Sequence, residues 1–173
     1  MLKVKAGDLD RMGLLFERYN RPLFGFFYHL TGERFASEDM TQNVFYRMIK
    51  YRHTFTGEGE FRTWMYHLAR NVLIDSAKKN NKIVYQSDIT KAAENYNSEH
   101  KLEKNLEQSE SVELLHKALN KISADCREVL IMSKFQELPY KEIASLLKIS
   151  EGNVKVKVYR ALQELRKEFL KYS

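Results

Sequence analysis

Apolar residues recur along this chain at three- and four-residue spacings, the period of helices with one buried face. Met12, Leu15, Phe16, Tyr19, Leu23, Phe26, Phe27 and Leu30 define a first helix that opens near Asp8. Pro22 is expected to kink or split it, and Thr31-Gly32 to close it. A second helix is predicted after Ser37 as N-cap, with Met40, Val44, Phe45, Met48 and Ile49 inward and Asp39, Gln42, Asn43 and Tyr46 outward. Gly57 and Gly59 then break the pattern. A third helix, from Phe61 to about Asn80, buries Phe61, Trp64, Met65, Leu68 and Val72 and turns Arg62, Tyr66, Arg70 and Asn71 outward. Beyond Ser111, Val112, Leu115, Leu119 and Ile122 mark another helix, and Asp125 caps the next, with Val129, Leu130, Met132 and Phe135 apolar.

The C-terminal pattern is the sharpest. Ile143, Ala144 and Leu147 share one face of a short helix that Pro139 starts, Ile149 plugs a turn, and Ser150 caps a long helix. Val154, Val158, Ala161, Leu162, Leu165 and Phe169 form its apolar stripe, which is read as core. The opposite face carries Asn153, Val156, Lys157, Tyr159 and Arg160. A short helix, a turn and a capped helix with a polar, cationic outer face is a helix-turn-helix. Amide and guanidinium groups pair with base edges, lysine and tyrosine hold phosphates, and an outward valine meets a thymine methyl. The expected fold is therefore all-α: two small helical domains joined by a flexible linker, the second domain containing the helix-turn-helix.

Charge sharpens the division. Net charge is +6, with 14 basic and 9 acidic residues in 1–82, 3 and 6 in 83–110, and 12 and 8 in 111–173. Two basic lobes suited to a polyanion flank an acidic strap of weak periodicity, which as a flexible coil would average about 30 Å end to end. On the third helix, Arg62, Tyr66, Arg70 and Asn71 interleave cations, an aromatic ring and an amide, the combination a single strand uses. Cys126 is the only cysteine, so no intrachain disulfide forms, consistent with a reducing cytosol. The N-terminus shows no signal-peptide pattern, and a cytoplasmic location is expected. The five histidines show no metal-ligand spacing, and no nucleophile elbow, phosphate loop or dinucleotide fingerprint is present. The chain reads as a binding protein that is not an enzyme, with no metal, cofactor or small-molecule substrate.

In order along the chain, three blocks resemble the sigma-70 family of RNA polymerase sigma factors, in its small extracytoplasmic-function (ECF) group. Glu38 to Phe45 is similar to the family's helix that docks on the polymerase clamp helices. Phe55 to Asp75 resembles the segment that melts and reads the minus-ten element, and the helix-turn-helix resembles the minus-thirty-five reader. The resemblance implies region 2 in residues 1–82, a linker at 83–110 and region 4 in 111–173. It implies polymerase contacts at Asp39, Gln42 and Asn43, the last standing where an acidic residue is common. It places Phe55, Arg62, Tyr66, Arg70 and Asn71 at the melted strand, with Phe55 and Asn71 flanking a flipped base. Asn153, Lys155, Val156, Lys157, Tyr159 and Arg160 fall on the upstream duplex. Core RNA polymerase, promoter DNA and an anti-sigma factor are the implied partners. Lys148 occupies a frequent glycine site, and a left-handed turn kept there costs about 1 kcal/mol. The alternative is a helix-turn-helix regulator that is not a polymerase subunit, with residues 1–82 sensing or dimerising.

Overall fold

A computed structural model of the chain describes the backbone of residues 1–87 and 106–171 and the side chains of 1–79 and 112–171. Those residues form helices joined by short turns, with no strand among them: α1 Leu2–Lys5, α2 Arg11–Thr31, α3 Arg34–Lys50, α4 Phe61–Ser87, α5 Leu106–Lys121, α6 Ala124–Leu130, α7 Tyr140–Leu147 and α8 Glu151–Phe169. A 3₁₀ turn, Arg52–Thr54, follows α3, and a π turn, Ile131–Phe135, extends α6. The all-α expectation holds, and the helix-turn-helix is α7 and α8. The acidic strap falls mostly on 88–105, outside the described residues. Its two ends are helix, because α4 runs on to Ser87 and α5 begins at Leu106.

Several boundaries move for local reasons. α2 passes through Pro22 unbroken, and Gly32 at φ 73° ends it as expected. Ser37 does not cap α3. The helix starts four residues earlier, at Arg34 after extended Glu33, and the buried Ser37 hydroxyl donates to the Glu33 carbonyl at 2.5 Å, back-bonding to its own helix. Ser123, not Asp125, precedes α6, and Asp125 lies in its first turn, where a carboxylate favours the positive helix end. Pro139 stands one position before α7, and its carbonyl accepts from the Glu142 and Ile143 amides. Ser150 caps α8 as read, its hydroxyl accepting the Asn153 amide at 3.2 Å. Lys148 takes the left-handed turn at φ 55°, and the Ile149 amide bonds back to the Ala144 carbonyl in a Schellman-type closure.

The two helical units share a core. Leu23, Phe26, Phe27, Met40, Val44, Met48, Met65 and Val72 join Val129, Ile131, Met132, Ile143, Leu146, Val154 and Val158 in one contiguous cluster. A smaller cluster, Leu119, Ile122, Cys126, Leu130 and Ala161, lies under α5, α6 and α8. The α8 stripe is core only in its first half. Val154, Val158 and Ala161 are buried and Leu165 is partly buried against the smaller cluster, whereas Leu162 is 40% exposed.

Candidate nucleic-acid interface

The outer face of α8 is open. Asn153, Lys155, Val156, Tyr159 and Arg160 are exposed, while Lys157 is half-buried and pairs with Asp125 at 3.1 Å. Lys155 lies 3.9 Å from Glu151 one turn back, a weak exposed pair that leaves its ammonium available. The cap at Ser150 and the burial of Val154 and Val158 fix the rotation of α8, so this set projects from one side as a rigid strip.

Along α3, Asp39 and Gln42 are exposed, with Tyr46 63% and Phe35 76% exposed on the same stripe. Asn43 is half-buried and accepts from the Arg47 guanidinium at 2.9 Å, and Arg47 is held in turn by Asp75 of α4 at 2.8 Å. The periodicity did not single out Phe35, which lies before the expected helix start at Ser37 and falls on α3 only because the helix begins at Arg34.

The α4 residues are arranged differently from their expected outward display. Asn71 is exposed, but Tyr66 is 1% exposed, its ring edge-on to Phe26 and its hydroxyl donating to Gln136 Oε1 at 2.5 Å. Burial pushes the Tyr66 hydroxyl well above its ordinary pKa, so it stays a donor. Arg62 donates to the Gln136 backbone carbonyl, and Arg70 pairs with Glu128 at 2.9 Å. A second face of α4 is therefore covered, by residues some 60 to 80 positions further along the chain. Phe55 is buried against Phe61 and Trp64, ring centres 5.9 and 5.4 Å away, and its carbonyl accepts Lys5 Nζ at 2.7 Å. Phe55 is thus covered, while Asn71 is exposed.

His29 of α2 and His116 of α5, far apart in sequence, stack at 5.0 Å beside Phe135 and Tyr28. Burial, and then the neighbouring His116, lower the His29 pKa to about 4, and burial lowers that of His116. Among the described residues, no group of three His, Cys, Asp or Glu side chains comes together to hold a metal ion, and no helix is long and apolar enough to cross a membrane.

Known proteins place this architecture. Residues 15–83 match sigma-70 region 2 and residues 112–165 match sigma-70, region 4. The ECF RNA polymerase sigma factor SigX of Bacillus subtilis (strain 168) is 30% identical over 157 residues, covering 89% of this chain and 81% of SigX. The ECF RNA polymerase sigma factor SigM of the same bacterium is 28% identical over 152 residues, covering 88% and 91%. Among solved structures, the sigma factor RpoE in complex with the anti-sigma factor NepR from Bartonella quintana superposes with a TM-score of 0.74 at 22% identity, over 92% of this chain and 96% of that one. CnrH in complex with the cytosolic domain of CnrY gives 0.75 at 17% identity, over 99% and 96%, and both likenesses speak to the fold. Both sigma-70 regions occur in order, and SigX matches most of the chain: the protein belongs to the sigma-70 family as an ECF-type RNA polymerase sigma factor.

Proposed function

We propose that this sigma factor docks on core RNA polymerase through the exposed α3 strip of Asp39 and Gln42, with Asn43 at its edge. In the same reading, α8 sits on the upstream promoter element, and Phe55, Arg62, Tyr66, Arg70 and Asn71 engage the melted minus-ten strand. Residues 1–82 then act as region 2, 83–110 as the connecting strap and 111–173 as region 4. The observation that carries this reading is the open, rigid face of α8, where Asn153, Val156, Tyr159 and Arg160 are all exposed. Amide, methyl and guanidinium groups on one such face read a major groove. The α3 strip gives residues 1–82 a docking role that a stand-alone regulator would not need, and the region 2 match favours it further. Catalysis belongs to the polymerase, and a cytoplasmic location follows from that partner. Both structural neighbours were solved as complexes, one with a named anti-sigma factor, which supports a protein inhibitor of the same kind here.

Immobilised core polymerase tests the docking assignment. Asp39→Ala, at an exposed site, should bind roughly tenfold more weakly, about 1.4 kcal/mol, with an unchanged thermal midpoint. Unchanged affinity would take Asp39 out of the interface.

A further inference from the structure

The short helix α1 grips the loop between α3 and α4, which the proposed function gives to the melted strand. At four residues α1 is too short to hold its place alone, and it is pinned by Val4, fully buried in the shared core, with Met1 packed against the same cluster. Two more of its residues reach the loop. Lys5 Nζ donates to the Phe55 carbonyl at 2.7 Å across 50 positions of sequence, where the 3₁₀ turn ends and the backbone becomes extended. That carbonyl has left helical pairing, and an ammonium suits the carbonyl end of a helical turn. Leu2 lies over Gly57, where an added Cβ would meet Leu2 Cδ2 at 3.0 Å. The region 2 match begins at residue 15, so α1 stands outside it.

The loop itself is weakly constrained. Thr56 to Glu60 are exposed, and Gly57 and Gly59 stand at φ 86° and 81°, a backbone that is free to take other shapes. On its far side α4 holds it: the Phe55 ring packs on Phe61 and Trp64, and Trp64 Nε1 donates to Thr54 Oγ1 at 3.1 Å. Asn71 follows Trp64 by two helical turns and so lies on the same side of α4. A loop held in one shape before a strand arrives avoids the ordering cost that a free loop meets on binding.

We propose that α1 is a strut for strand reading, in which Lys5 and Leu2 are positioning residues that set the loop of Phe55 to Glu60 against the melted minus-ten strand. This rests on reading Phe55 and Asn71 as strand contacts. A base that needs the loop in place is bound in proportion to the fraction of chains that hold it there, whereas a base that does not use the loop is bound alike in either case. Loosening the strut therefore lowers base discrimination and leaves the faces of α3 and α8 as they were.

Base selection tests this. Full-length chain and core polymerase are given a promoter recovered from genomic fragments by run-off transcription, together with its single-base variants through the minus-ten element, and open complexes are read by permanganate reactivity. Lys5→Met keeps the aliphatic stem at an exposed position and removes the donor. Its discrimination between the preferred base and the others at the most sensitive position should fall about threefold or more, the effect of one lost hydrogen bond, with core affinity, upstream duplex binding and thermal midpoint unchanged. Leu2→Ala uncovers Gly57 and should act in the same direction. Full discrimination in Lys5→Met would overturn the strut, and so would an equal loss on every variant, which would make Lys5 a phosphate contact. Asn71→Ala keeps the two readings apart. If it lowers discrimination while Lys5→Met does not, the strut alone falls; if Asn71→Ala leaves discrimination intact, the strand assignment falls.

Discussion

Lys148 and Arg160 show what single residues decide. Lys148 joins the two helices of the reader at φ 55°, where its Cβ crowds the backbone. Lys148→Gly should stabilise the fold by about 1 kcal/mol, read as a higher denaturant midpoint at unchanged slope. Arg160 is exposed, with no ion pair among the described residues, and points to the side Val156 and Tyr159 share. Arg160→Ala should cost about 1 to 3 kcal/mol on the preferred upstream sequence and less on others, measured by competition binding with core present. An equal loss on all sequences would make it a phosphate contact. At this scale the Ser150 cap and the Lys148 turn were legible, since both follow from local backbone chemistry. Tyr66 was not: its position on α4 says outward, and the group that covers it, Gln136, lies 70 residues away with no trace in the local pattern.

At the scale of elements, period carries the helices well and their ends poorly. The α2 pattern survives Pro22 because the residue is exposed and one lost backbone bond is outweighed by Leu23, Phe26 and Phe27, all fully buried. Ser37 looked like a cap because serine, followed by acidic residues and an apolar run, is a start signal, yet here that hydroxyl is used inside the helix. The packing of α5 on α2 carries a pH dependence. His29 has a pKa of about 4 when packed, lowered first by burial and then by His116, against an ordinary 6.5 when released. Between those values the released state binds the extra proton, so stability is full above pH 6.5 and falls as pH drops toward 4. Tyr28, Phe135 and His116 face the ring, and Arg127 donates to the nearby Leu30 carbonyl, so no anion among these groups offsets the imidazolium. Thermal midpoints from pH 7.5 to 4.5 should drop more in the wild type than in His29→Phe. Parallel curves would show that another group governs the change.

For the molecule as a whole, charge and order were legible: two basic lobes, an acidic strap and three blocks in sigma order. Their closure on one another was not, because it depends on pairings such as Arg70 with Glu128 that link positions 58 residues apart. The sequence separates two readers of DNA, while the structure joins them through a common core and polar cross-links. That joining leaves Asp39 and Gln42 on α3 and the outer face of α8 exposed. The central claim is that this chain directs polymerase to promoters, and reconstituted transcription tests it most directly. Purified core polymerase with the chain and fragmented genomic DNA should start RNA at a defined set of sites that core alone does not use. No complex with core, or RNA from the same sites with and without the chain, would contradict it.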